Sequence, residues 1–93
     1  MNDTLSLDDV CILIADETQQ EIFCKELSID RRAFYGYGEK FLRPDVLLAV
    51  NAFEYSGEEI MEFEGIRYAI TRTYERFDGL MELTGTKKAG LQK

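Results

Sequence analysis

The chain has 93 residues, no histidine and a net charge of −7, with nearly half its residues apolar. That length suits a single small domain with a thin stability margin, and the apolar content excludes a wholly disordered chain. The acidity disfavours general binding to DNA phosphates, and the missing imidazole removes the commonest acid–base and metal chemistry. No stretch has the length and apolarity of a membrane span, and the acidic start MNDTLSLDDV does not read as a signal peptide. A cytoplasmic location is the default expectation, with Cys11 and Cys24 as reduced thiols.

In chain order, residues 1–8 read as a loose polar arm. Val10–Ala15 (VCILIA) is a short apolar run of buried-strand character, DETQQE a polar turn, and Ile22–Leu27 a second strand. If Ala15 faces Gln20, Cys11 falls opposite Cys24. A one-residue slip would part the two thiols, and two small buried hydrophobes are the preferred reading over a disulfide. The stretch SIDRRAFYGYG breaks the strand pattern. Ser28 or Asp30 would cap a short helix from Arg31 to Tyr35, and Gly36 or Gly38 would stop it. Pro44 then forbids a regular continuation.

DVLLAVNAFEY reads as a third, central strand, and Ser56-Gly57 turns the chain. Glu58–Phe63 and Ile66–Tyr74 follow as a hairpin about the Glu64-Gly65 turn. That turn pairs Phe63 with Ile66 and Met61 with Tyr68, and sets Glu62 against Arg67 on the other face. A second turn at Asp78-Gly79 sets Tyr74 against Leu83 and Arg76 against Met81. One face then carries Met61, Phe63, Ile66, Tyr68, Ile70, Tyr74, Met81 and Leu83. Alternation also puts Arg72 on that face, where an unpaired guanidinium is too costly. Either a bulge turns it outward or it sits at the rim beside a carboxylate. After Thr84 the tail GTKKAGLQK reads as fraying.

Six short strands with one short helical insert predict a mainly β fold, a small antiparallel β-barrel or sandwich. The domain would span residues 9–85, with flexible segments at 1–8 and 86–93. No catalytic constellation stands out: Ser-His and Cys-His pairs are impossible, no Gly-rich phosphate loop with a lysine occurs, and two cysteines make a poor zinc site. The acids Glu54, Glu58, Glu59, Glu62 and Glu64 lack calcium-loop spacing and read as a solvated hairpin face. No metal, cofactor or catalytic residue is therefore expected. Phe34, Tyr35 and Tyr37 crowd a glycine-containing loop beside Arg31 and Arg32. They either cover one barrel end or contact a partner, since Tyr and Arg are favoured in interface cores. Stacking on single-stranded nucleic acid is disfavoured by the charge.

Four pieces occur in order across residues 22–83: IFCKELSIDRRAFY, RPDVLLAV, FEYSGEEIMEFEGIRYAITRTYE and LMEL. As an ordered set they resemble the small head closure proteins of tailed bacteriophages, also called head–tail joining or stopper proteins. The departures are Ala33, where an acidic residue is common, an apolar Gly79-Leu80-Met81, and a segment 1–21 that matches in character only. The resemblance implies a barrel-like, non-enzymatic structural subunit of a connector ring in the virion, assembled in the host bacterial cytoplasm. Its implied partners are copies of itself, portal and adaptor connector proteins, and tail-completion proteins. DNA would pass nearby without high-affinity binding, and no membrane is involved. Candidate subunit or partner contacts are Arg31, Arg32, Tyr35, Tyr37 and Arg72. Glu54, Glu58 and Glu59 are candidates to face an acidic lumen. The alternatives are a small β-barrel adaptor or nucleic-acid-binding module, or a tail-side completion protein.

Overall fold

A computed structural model describes residues 6–29 and 44–92. Six strands are present: β1 (Asp9–Ala15), β2 (Thr18–Leu27), β3 (Val46–Asn51), β4 (Ile60–Phe63), β5 (Ile66–Glu75) and β6 (Leu80–Lys87). They close into one antiparallel barrel in the order β1-β2-β3-β6-β5-β4, with β4 returning to β1. Of the two expected architectures the barrel is the one formed. Closure gives every strand two neighbours, although β3 pairs with only Cys24–Leu27 of β2.

Alternate residues of every strand fill the interior. Cys11 and Leu13 come from β1, Ile22 and Cys24 from β2, and Val46, Leu48 and Val50 from β3. Met61, Phe63, Tyr68 and Leu83 complete the core from the remaining strands. A barrel of so few strands has an interior just wide enough for side chains, so it is a packed core and not a channel. Its tightest point is Gly85. A Cβ there would lie 2.6 Å from Met61 Cε and 2.8 Å from Tyr68 Cβ. Only hydrogen fits where β6 passes those two side chains.

The β4–β5 hairpin has the expected register: Phe63 pairs with Ile66, Met61 with Tyr68 and Glu62 with Arg67. Glu64 and Gly65 both have positive φ, 54° and 84°, as a two-residue type I′ turn requires. Arg67 Nε lies 3.0 Å from Glu62 Oε1.

Elsewhere the pairing departs from expectation. The first turn is only Asp16-Glu17, with Ala15 opposite Thr18. Cys11 therefore faces Ile22, and Cys24 faces Asp9. The polar residues Thr18–Glu21 are strand and exposed. Their side chains are polar and exposed, so they read as a turn in sequence, although the β1 residues opposite Gln19 and Gln20 are the buried Ile14 and Leu13. The register shift is two residues, which keeps both thiols on the inner face. Both cysteines are free and buried. The neighbouring Cys11 thiol, and then burial, push the Cys24 thiol well above its ordinary range.

The third strand ends at Asn51, not at Tyr55. A 3₁₀ turn, Ala52–Glu54, follows it. β3 and β4 lie on opposite sides of the ring of strands, so the chain must leave the ladder and cross the barrel end. The β5–β6 register is one residue off the expected one: Tyr74 pairs with Glu82 and Glu75 with Met81. The β5–β6 loop sets that shift, since the Arg76 N–H bonds the Leu80 carbonyl across it, and a bulge between Ile70 and Arg72 displaces the pairs beyond by one residue more. The bulge also swaps the faces of the β5 residues that follow it. It resolves the conflict at Arg72, which is exposed, but it also turns Tyr74 outward, to 64% exposure. Tyr74 is not a core residue.

Chain pairing also continues past Thr84. Gly85 and Thr86 are buried in β6, and Ala89–Leu91 forms a second 3₁₀ turn. Gln92 then acts as a surrogate strand residue. Its Nε2 donates to the Arg67 carbonyl at 2.7 Å, and its Oε1 accepts from the Arg67 N–H at 3.1 Å. The start of the expected loose tail is thus barrel wall, because Gly85 and Thr86 have β5 and β3 to pair with.

The predicted helical insert, with Arg31, Arg32, Tyr35 and Tyr37, lies outside the described residues.

Candidate interaction surfaces

The strand directions gather three connections at one end of the barrel. These are the Asp16-Glu17 turn, the β3-to-β4 crossing and the loop from Arg76 to Gly79. The crossing is tied to the loop by an Ala52 N–H to Gly79 carbonyl bond of 3.0 Å. Arg76 holds that loop, reaching Asp78 at 2.9 Å and Glu82 at 3.4 Å. Phe53 on the crossing is 82% exposed, and Phe77 in the loop is fully exposed.

The three acidic candidates lie along the crossing and have different surroundings. Glu58 is buried. Its Oε1 accepts from the Ser56 N–H at 2.8 Å, and its carbonyl accepts from the Tyr55 hydroxyl at 2.8 Å. Glu58 therefore closes the Ser56-Gly57 turn and does not face open solvent, which corrects its reading as a lumen-facing group. Glu54 accepts weakly from Asn51 Nδ2 at 3.4 Å and is half-buried. Glu59 is exposed. Burial, and then the charges of Glu58 and Glu59, push the Tyr55 phenol above its ordinary value.

Arg72 sits on the outer wall beside Tyr74. Together with Leu27, Ile29, Pro44 and Leu47 they line an open groove of about 350 Å³. Val10 and Phe23 form a cross-strand pair on the outside of β1–β2, 44% and 60% exposed. Neither Phe23 nor Phe53 nor Phe77 stands out in the sequence reading. A signal for Phe23 exists: inward Ile22 and Cys24 force the residue between them outward. For Phe53 and Phe77 no periodicity applies, because both lie off the ladder.

Among the described residues, no group of three or more metal-ligating side chains is brought together. No family model, no curated protein and no solved structure matches the chain.

Proposed function

We propose that the chain is a structural subunit of a tailed-phage connector. As part of a ring it closes the DNA-filled head and joins it to the tail. The observation that carries this reading is how the ordered motif pieces fall on the fold. IFCKEL is the second half of β2, DVLLAV leads into and forms most of β3, IMEFEGIRYAITRTYE is the β4–β5 hairpin, and LMEL opens β6. The pieces that carry the resemblance are walls of one closed barrel, and their interior positions, with Cys11 and Leu13 of β1, make its core. Rigid walls with aromatic side chains exposed on loops and flanks suit a part that binds neighbours.

In this reading the chain works by contact, within the virion, after assembly in the host cytoplasm. Portal, adaptor and tail-completion proteins are its neighbours. Exposed carboxylates such as Glu59 repel phosphates at a ring lumen, so DNA passes without adhering. Electron microscopy of particles made without this protein tests the proposal. Filled or leaking heads without tails are expected; normal virions overturn it. Strong, salt-sensitive DNA binding by the purified chain would instead favour the nucleic-acid-binding alternative. Within the ring, Glu59→Lys slows DNA ejection, whereas unchanged ejection removes the acidic-lumen role.

A further inference from the structure

The ladder around β2 is incomplete on one side. β1 pairs with β2 from Thr18 to Cys24, whereas β3 pairs only with Cys24–Leu27. Antiparallel pairs alternate between hydrogen-bonded and non-hydrogen-bonded. Ala15 and Thr18 close the two-residue Asp16-Glu17 turn as a hydrogen-bonded pair, so Leu13–Gln20 and Cys11–Ile22 are hydrogen-bonded pairs too. The backbone groups of Thr18, Gln20 and Ile22 thus point at β1, and those of Gln19 and Glu21 point the other way. No strand among the described residues meets them there. β3 stops short because Asn51 is followed by a 3₁₀ turn whose Ala52 N–H bonds the Gly79 carbonyl at 3.0 Å, which draws the chain toward β6 and away from β2. β5 also runs past the start of β4, since Ile60 pairs with Ala69, but there the bulge between Ile70 and Arg72 interrupts the edge, a common guard against strand addition. The β2 stretch, TQQEIF, has no bulge, no proline and no lysine, and all of it except Ile22 is exposed. Gln19, Glu21 and Phe23 share its outer face. Glu21, with Asp16 and Glu17 of the adjoining turn, makes the edge acidic, and among the described residues none of the three is ion-paired.

We infer that Thr18–Phe23 accepts an extended strand of a partner protein, which joins the barrel wall antiparallel to β2 along the line that β3 vacates at Asn51. The N–H and C=O groups of Gln19 and Glu21 supply the main-chain hydrogen bonds, and side chains on the outer face select the segment. The partner residue opposite Glu21 lies on that face, and the acidic edge selects Lys or Arg there. The same position is diagonal to Phe23, so the aliphatic stem of the base covers the exposed phenyl ring while its charge meets Glu21. Flanking positions take β-branched residues, which suit a pleated, half-buried strand. The occupant is thus a basic, β-branched, extended segment. The β2 edge of a second copy fits poorly, because it brings a second set of carboxylates to an edge that holds no base. The inference stands on the ladder and its charges alone and does not need the connector reading.

The probe is the capped peptide Thr-Val-Arg-Val-Thr, added to the isotope-labelled full chain up to about millimolar concentration. Binding slows amide hydrogen exchange at Gln19 and Glu21, whose N–H groups face the open edge, and leaves Gln20 and Ile22, already bonded to β1, unchanged. Glu21→Pro removes only an outward N–H, which an edge strand tolerates, and lowers the affinity at least about tenfold. Glu21→Lys weakens the arginine peptide about fivefold and takes the same peptide with a central glutamate more tightly than the wild type does. Circular dichroism and thermal melting verify the fold of both variants, and the charge swap decides alone if the proline variant unfolds. No exchange protection at Gln19 and Glu21 at the highest peptide concentration overturns the inference. Binding centred on another strand does the same, as does an unswapped charge preference in Glu21→Lys. Protection of these amides that grows with protein concentration in the absence of peptide gives the edge to a second copy and overturns the stated occupant. The outcome is separate from that of the connector reading. Tailless particles together with an inert edge would leave the connector role standing and remove strand addition. Peptide capture at the edge together with normal virions would do the reverse.

Discussion

The two hairpins that share β5 behave differently. Between β4 and β5 the ladder is regular from the turn outward, and every cross-strand pair follows from the Glu64-Gly65 turn. Between β5 and β6 the ladder carries a bulge, and the pairs beyond it are displaced by one residue. A two-residue turn with both φ positive admits one register, and the Glu62–Arg67 pair reinforces it. The four-residue loop from Arg76 to Gly79 imposes no such constraint. The pairs beside the loop and the pairs around Gly85, which meets Tyr68 and Met61, have different registers, and the bulge reconciles them. A local signal governs one hairpin and core packing governs the other.

The sharpest test of that contrast lies within β5 itself, where two tyrosines flank the bulge. Tyr68 is buried and Tyr74 is exposed. Tyr68→Ala should cost about 3 kcal/mol and Tyr74→Ala less than about 0.5 kcal/mol, read by urea unfolding. Equal losses would mean that the bulge does not turn Tyr74 out.

Next in size is Gly85→Val. Its new side chain meets Tyr68 Cβ, which cannot swing aside, so the loss should be about 2 kcal/mol or more. A stable Gly85→Val protein would show that crowding at this point does not seat the β5–β6 register.

In the regular hairpin, Gly65→Ala places a Cβ at φ 84° and should cost about 1 kcal/mol by the same measurement. No atom lies near enough to clash, so any loss reports backbone conformation alone. A double-mutant cycle on Glu62 and Arg67 should return a coupling of about 0.5 kcal/mol, reduced by salt. Zero coupling would leave the turn as the sole source of register.

The smallest effect is at alkaline pH. Burial first, then nearby carboxylates, raises the phenol of Tyr68 above its ordinary value of 10.0, and Tyr55 likewise. In the unfolded chain these phenols ionise at about pH 10, while in the barrel they hold their protons longer. The stabilisation is therefore complete below pH 10 and is lost as pH rises from there through the folded values. Tyr68→Phe should flatten that decline in a pH series of unfolding midpoints, and an unchanged slope would assign the decline to other groups.

The lesson extends to the surfaces. Cys11 and Cys24 read as small interior residues, and they are, although their strands pair two residues away from the expected register. Even shifts preserve the face of a strand, so inward and outward survive an error that the partner list does not. Tyr74 suffered the odd shift and changed sides. Glu58 looked like one acid among several, yet its neighbour Ser56 has an N–H that needs an acceptor, and only the folded turn brings the two within 2.8 Å. Phe53 and Phe77 have no periodicity to reveal them, because they sit where the chain crosses or turns at a barrel end.

What the sequence determined by itself is the strand content, the alternation that makes one face oily, and the one hairpin whose turn chemistry is unambiguous. These depend on neighbours a few residues apart. What only the tertiary structure decided is the closure of β1 onto β4, the place of the bulge, and the course of residues 85–92 along β5. All of these depend on residues far apart in the chain competing for one narrow interior, and no local pattern encodes who meets whom there.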